Sequence, residues 1–274
     1  MRYVFVSDIH GQFDRLMTAL EQAQFNKDAD TIVSLGDPFD RGPQSWEVLD
    51  FLMSCPNRIL VWGNHDLRLR ELLIGADYPQ NYDKSNGVLE TMRSFCGTNV
   101  YNINVGLNQL KCDDDKRERC KLLWQYFDEC VYAVEWSNLV GVHAWVPTAV
   151  DRHLTTYDKW GCPMKEIVLK YDTNWRSVSR DCWNETTWGN SQRCFVQKIF
   201  IPDKTLIIGH WHAWRLRAVA SNGAVVYNDI EDIDFSTFIY EDKLIAIDGC
   251  SNAVFGVVNA YVYETDEAPV FITA

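Results

Sequence analysis

Residues 34–43 read SLGDPFDRGP, an apolar run that ends in two aspartates, an arginine and two glycines within ten positions. Two readings compete. In one, the stretch is a capped turn, with Asp at a helix N-cap, Gly for a tight bend and Pro43 opening the next helix. In the other, it belongs to a site placed at the end of a strand. Recurrence elsewhere in the chain decides between them.

The pattern recurs. "FVS" runs into Asp8 and His10, "IVSLG" into Asp37, "ILVWG" into Asn64 and His65, "LVGV" into His143, and "LIIG" into His210 and His212. Ligands of open α/β sheets sit in the crevice beyond the carboxyl ends of the strands, so such residues can converge while far apart in sequence. Of six histidines, only His153 lies elsewhere. One histidine after a strand is an ordinary turn or core residue; five of six are not explained that way. Mixed carboxylate, imidazole and amide donors suit a pair of first-row divalent ions better than a closed structural zinc. None of the nine cysteines joins the constellation.

Around these positions, short apolar runs alternate with helical patterns in the first half, as in a layered α/β domain. Strands are expected at 2–7, 30–36, 57–63, 138–142 and 205–209, and helices at 13–25, 43–53 and 66–74. Phe13, Leu16, Met17, Leu20 and Phe25 fall near one face of the first helix. The C-terminal third reads as antiparallel, through "RLRAVA", "AVVYND", "KLIAID" and "VVNAYVYE". No repeat, low-complexity tract or linker divides residues 1–274, which predicts one domain. Residues from about 144 to 204 stand apart, with Trp145, Trp160, Trp175, Trp183, Trp188 and few aliphatic runs. Either this excursion is stapled down by its rings, or it covers the pocket mouth and sets substrate choice.

The bulk numbers narrow the function. At 274 residues the chain can bury a large core, and a net charge of −12 argues against a general nucleic-acid binder. It leaves an anionic substrate open, because bound metal reverses the field inside a pocket. No apolar run suffices for a membrane span and the start lacks signal-peptide character, so a cytoplasmic protein with reduced, buried thiols is expected.

"SDIHG", "GDPFDRG", "GNHD", a strand-end histidine and "GH", in that order, resemble the calcineurin-like metallophosphoesterases. More narrowly, they are similar to the phosphoprotein phosphatase family and its bacterial and phage members, the lambda phosphatase and symmetrical diadenosine tetraphosphate hydrolase group. The resemblance covers roughly residues 3–74, 138–147 and 204–263. It implies a four-layer αββα sandwich with a mixed sheet and two divalent ions, manganese first, with iron or zinc as alternatives. Asp37 would bridge the ions, Asp8 and His10 complete the first, and Asn64, His143 and His210 the second; their shared water would attack phosphorus in line. His65 is the candidate general acid, with Asp40 holding it charged. Arg41 would clamp phosphate oxygens together with Asn64.

The sequence departs from the family in three places: Ser7 replaces a glycine, Asp66 stands where many protein phosphatases have Glu, and "GHWH" adds His212. Alternate residues of an extended segment project the same way, so His212 reads either as a further metal ligand or as a polar neighbour. A second phosphate-binding arginine is sought among Arg176, Arg180 and Arg193. Arg68 and Arg70 fall on an expected exposed helical face. The resemblance implies a serine/threonine phosphatase-like phosphomonoesterase acting on phosphorylated protein. The alternatives are symmetrical hydrolysis of diadenosine tetraphosphate, a nuclease or cyclic-nucleotide phosphodiesterase, and a scaffold that has lost its chemistry. Neither nucleic-acid nor membrane partners are expected.

Overall fold

The computed structural model describes residues 1–157, 163–189, 191–221 and 230–274. The first half builds β1 (Arg2–Val6), α1 (Phe13–Gln22), β2 (Thr31–Ser34), α2 (Ser45–Ser54), β3 (Arg58–Leu60) and α3 (Asn64–Ile74), followed by α4 (Asn81–Ser85), α5 (Val88–Cys96), α6 (Ile103–Cys112) and α7 (Arg117–Glu129). Then come β4 (Ala133–Glu135), β5 (Leu139–Val142), β6 (Thr148–Tyr157), β7 (Pro163–Tyr171), α8 (Arg180–Thr187), α9 (Ser191–Val196) and β8 (Thr205–Ile208). The chain closes with α10 (Ala213–Ala220), β9 (Phe238–Tyr240), β10 (Leu244–Ala246), β11 (Tyr261–Glu264) and β12 (Val270–Ile272).

Among the described residues two main sheets result, ordered β11-β1-β2-β3 and β12-β4-β5-β8-β10-β9, beside the separate pair β6-β7. In the first, β1, β2 and β3 run parallel and only the β11 edge is antiparallel; in the second, β5, β8 and β10 run parallel between antiparallel strands on both sides. Alternation along the strands separates two interiors. Tyr3, Phe5, Val33, Leu35, Ile59, Val134, Leu139, Ile207 and Ile245 form one buried cluster drawn from both sheets. Val4, Val6, Ile32, Val140, Leu206, Ile208 and Leu244 pack instead with helical residues such as Leu16, Leu49 and Leu69. Helix, sheet, sheet, helix is the expected mixed α/β sandwich.

Several expectations need correction. "RLRAVA" is α10 rather than a strand, because Ala213 and Leu216, three apart, are buried while Val219 packs against the core. "AVVYND" and Trp160 lie outside the described residues. "KLIAID" is not purely antiparallel: β10 pairs parallel to β8 and antiparallel to β9. Met17 is exposed, and α1 buries Leu16, Ala19 and Leu20 instead. Arg68 is only 6% exposed, held by Asp83, Asp77 and Glu71. Among the described residues no helix is long and apolar enough to cross a membrane, and the described cysteines are free.

Candidate metal centre

The carboxyl ends of the six parallel strands lead directly into the conspicuous polar residues: Asp8, Asp37, Asn64, His143, His210 and, at the end of β10, Asp248. The last was missed by the sequence reading. "LIAID" carries the same signal as the other five, an apolar strand followed at once by a ligand-type side chain, but it was assigned to an antiparallel meander.

The backbone at these ends is bent sharply. Asp8, His10, Asp37, Asp40, Arg41 and His210 all have φ between 48° and 69°, a left-handed conformation that costs non-glycine residues energy and collects at functional sites. Glycine is required where a strand end meets a ligand: a Cβ on Gly63 would collide with Asp37 Oδ1, and one on Gly209 with Asp8 Oδ2 and Ser7 Oγ. The motif glycines therefore make room for the carboxylates.

Two donor clusters share Asp37: His10, Asp37 and His65 form one, and Asp37, His143 and His210 the other, with ligand atoms within 4.8 Å of one another in each. Asp37 Oδ2 lies 3.4 Å from His143 Nε2, 3.9 Å from His65 Nε2 and 4.0 Å from His10 Nε2. Asn64 Oδ1 is 2.9 Å from His143 Nε2, and Asp8 Oδ1 is 3.9 Å from His10 Nε2. His10 Nδ1 is hydrogen-bonded to the Phe39 carbonyl and His143 Nδ1 to that of Leu35, which leaves both Nε2 atoms facing Asp37. His210 N donates to Asp8 Oδ2, tying the two sheets together across the centre.

Beside Asp37, His65 Nδ1 lies 2.7 Å from Asp40 Oδ2, and its Nε2 is 3.3 Å from Arg41 Nη2. Thr91 of α5, unremarked in the sequence, fixes Asp40: its hydroxyl donates to Asp40 Oδ1 (2.7 Å) and accepts from Asp40 N (2.8 Å). Asp66 Oδ2 accepts from Gly63 N and Asp37 N, so it braces the loop that carries Asp37. No local pattern marks Thr91, because its role depends on where α5 lies.

The electrostatics are those of an anionic pocket. Burial and the nearby Asp248 push Asp8 up to about 7, and burial with Asp37 pushes Asp66 up to about 8. Burial would lower His143, yet Asp37 lifts it to about 10. Burial and His143 take His210 down to about 3; burial, Arg41 and His65 take His10 well below its usual range. Asp37 is held well below the usual carboxylate range: burial opposes this, but His143 and His65 overcome it. His65 is raised: burial works against this, and Asp37 and Asp40 outweigh it. Asp8, Asp66, His65 and His143 thus hold protons more tightly than usual where divalent cations would otherwise supply positive charge. The donor set of carboxylate, imidazole and amide fits such ions.

The remaining expected residues separate. His212 does not join either cluster. As the N-cap residue of α10 it places Nδ1 2.9 Å from Asp248 Oδ2 and Nε2 3.5 Å from Cys250 Sγ. Arg176 is engaged by Glu135, which pairs with Val140 early in β5, away from the ligand ends. Arg180 and Arg70 line a separate cavity with Tyr132 and Asn184, and Arg193 lines one with Trp145 and Glu185.

The symmetrical bis(5'-nucleosyl)-tetraphosphatases of Salmonella typhimurium and Salmonella typhi are 37% identical over 91 residues, 33% of this chain. The chain spans about a third of the length of these curated relatives, 32% in each case. The cold-active protein-tyrosine phosphatase of a psychrophilic Shewanella superposes with a TM-score of 0.50 at 15% identity, covering 99% of this chain and 80% of that one. A Saccharomyces cerevisiae protein serine/threonine phosphatase gives 0.47 at 13% identity, covering 98% and 81%. The model of the calcineurin-like phosphoesterase family matches residues 1–227, and the chain belongs to that family of hydrolytic enzymes.

Proposed function

We propose that the protein is a cytoplasmic phosphomonoesterase of the serine/threonine phosphatase type, working with two divalent ions, manganese first. The observation that carries this is the Thr91–Asp40–His65 chain, which aims His65 Nε2 into the space shared with Asp37 and Arg41. Asp8, His10 and Asp37 would hold one ion; Asp37, Asn64, His143 and His210 would hold the other. Such ions, when bound, supply Lewis-acid charge to the phosphate and acidify water.

The chain's own residues do the rest. Arg41 presents a planar fork to phosphate oxygens. His65, kept protonated by Asp40 and Asp37, gives its Nε2 proton to the departing alkoxide, a contribution of about 10²–10⁴ in rate. The excursion stands beside the site. Ser191 Oγ donates to the Ala144 carbonyl and Trp211 Nε1 to that of Gly189, stitching it to the loops after His143 and His210. We assign it the role of setting substrate choice at the pocket mouth.

A second reading, symmetrical cleavage of diadenosine tetraphosphate into two ADP, is favoured by the names of the curated relatives. Manganese-loaded protein offered a phosphoserine/phosphothreonine peptide and the dinucleotide at equal concentration separates the two. Fast phosphate release from peptide with the dinucleotide intact supports the first; two ADP per dinucleotide and a slow peptide reaction overturn it in favour of the second. His65→Asn is expected to lose about 10²–10⁴ in kcat on the preferred substrate, and wild-type activity in that variant would refute its role.

A further inference from the structure

The set His212, Asp248, Cys250 and Asn252 is not used by the proposed hydrolysis. Asp248 is buried and organises the group. Its Oδ2 lies 2.9 Å from His212 Nδ1, and its Oδ1 accepts from Cys250 N at 2.8 Å. His212 Nε2 faces Cys250 Sγ at 3.5 Å, and Asn252 Oδ1 lies 3.9 Å from the same sulfur. An imidazole whose Nδ1–H is held by a carboxylate presents Nε2 in a fixed direction, as metal-binding histidines do. With Zn–S at about 2.3 Å and Zn–N at about 2.0–2.1 Å in a tetrahedron, the two donors stand about 3.5 Å apart. The His212–Cys250 separation matches that spacing.

The loop carrying the sulfur is fixed in advance. Cys250 has φ 54°, and its carbonyl accepts from Ala253 N. Arg15 donates to the carbonyls of Ser251, Ala253, Val254 and Gly256, and Ser251 Oγ donates to those of Asp8 and Ile9. The His212 side chain is 22% exposed, so an ion reaches it without opening the core.

We propose that His212 Nε2, Cys250 Sγ and Asn252 Oδ1 form a third cation site, taking one thiophilic divalent ion of the zinc type, separate from the two clusters that share Asp37. Binding replaces the thiol proton, which passes to bulk solvent, and no oxidation state changes. Soft sulfur selects zinc-like ions over manganese, so the two kinds of site sort metals by chemistry.

Sulfur ligation is the readout, because the Asp37 clusters contain no thiol. The manganese-loaded full chain is titrated with cobalt(II), whose bond to a thiolate gives a near-ultraviolet charge-transfer band. The expected result is one equivalent of the band, competed away by zinc, absent in Cys250→Ser, at least ten-fold weaker in affinity in His212→Gln, and intact in Cys112→Ser and Cys182→Ser. No band in the wild type, or one that survives Cys250→Ser, overturns the site. X-ray absorption of the zinc-loaded wild type needs no variant. One sulfur at about 2.3 Å supports the site, and a shell of nitrogen and oxygen alone overturns it. Both measurements are independent of whether any phosphoester is hydrolysed.

Discussion

The strand-end centre and the Trp-rich excursion are both polar and aromatic regions of one chain, yet they are held in opposite ways. At the centre, side chains are placed by backbone: Asp8, His10, Asp37 and His210 sit in left-handed bends after parallel strands, and Gly63 and Gly209 let the Asp37 and Asp8 carboxylates approach. In the excursion, backbone is placed by side chains. Trp145, Trp175 and Trp183 are buried, Trp183 stacks on Tyr132, and Trp145 Nε1 donates to the Ile199 carbonyl. The hairpin of β6 and β7 pairs with neither main sheet, and it leaves Val150, Leu154 and Met164 exposed. Loss of a centre residue should therefore remove chemistry and leave the fold, whereas loss of an excursion ring should do the reverse.

Asp37→Ala is the hardest test of that contrast. Both clusters lose their common donor, so bound divalent ions should fall from two to none and hydrolysis to background, with circular dichroism unchanged. An enzyme that keeps both ions would break the comparison. Trp183→Ala should instead cost about 3–5 kcal/mol of stability in denaturant titrations while the surviving folded enzyme keeps its kcat. By contrast Val150→Ser, at a half-exposed hairpin position, should stay within about 0.5 kcal/mol.

Thr91→Val sharpens the contrast inside the centre. Without its hydroxyl Asp40 loses two bonds, and kcat for an alkyl phosphate should fall on the order of ten-fold. An aryl phosphate, whose leaving group departs without a proton, should be spared, and Thr91→Ser should restore the rate. Equal losses on both esters would make Thr91 a packing residue only.

The smallest effect is in pH. In metal-free protein, Asp8 near 7, Asp66 near 8 and His143 near 10 all lie above their unfolded values. A group raised on folding stabilises at low pH and loses that contribution as pH climbs through its folded value. Asp8 has given up its share by pH 7, so the melting temperature of the metal-free protein should fall from pH 7 to about 8 through Asp66 and His143, and on to about 10 through His143 alone. Excess manganese should flatten that slope by taking the place of the protons. A slope unaffected by metal would separate these residues from the cation sites.

How much could be read without coordinates follows from the same contrast. Asp8, His10, Asp37, Asn64, His65, His143 and His210 stand out in the sequence because each lies within a few positions of the end of an apolar strand run. Such a signal is local, and the fold needs only to bring the carboxyl ends of parallel strands together. Asp248 carried the same signal and was overlooked once its strand was assigned to an antiparallel meander. α10 was misread because "RLRAVA" alternates like a strand only over Arg215–Ala218, and its packing partners select the helical face.

The parallel strands of the first half and the polar residues that end them were thus legible in the sequence itself, through short-range apolar patterning, while the αββα layering was implied by the family resemblance. Tertiary structure alone decided what each remaining polar group touches. It turned His212 away from the Asp37 clusters to Asp248 and Cys250, sank Arg68 among three carboxylates, and put Thr91 of α5 behind Asp40. The physical reason is range. A strand end is specified by its own neighbours in the chain, but a buried hydrogen bond joins residues such as Thr91 and Asp40, 51 positions apart, that meet only when the helices pack.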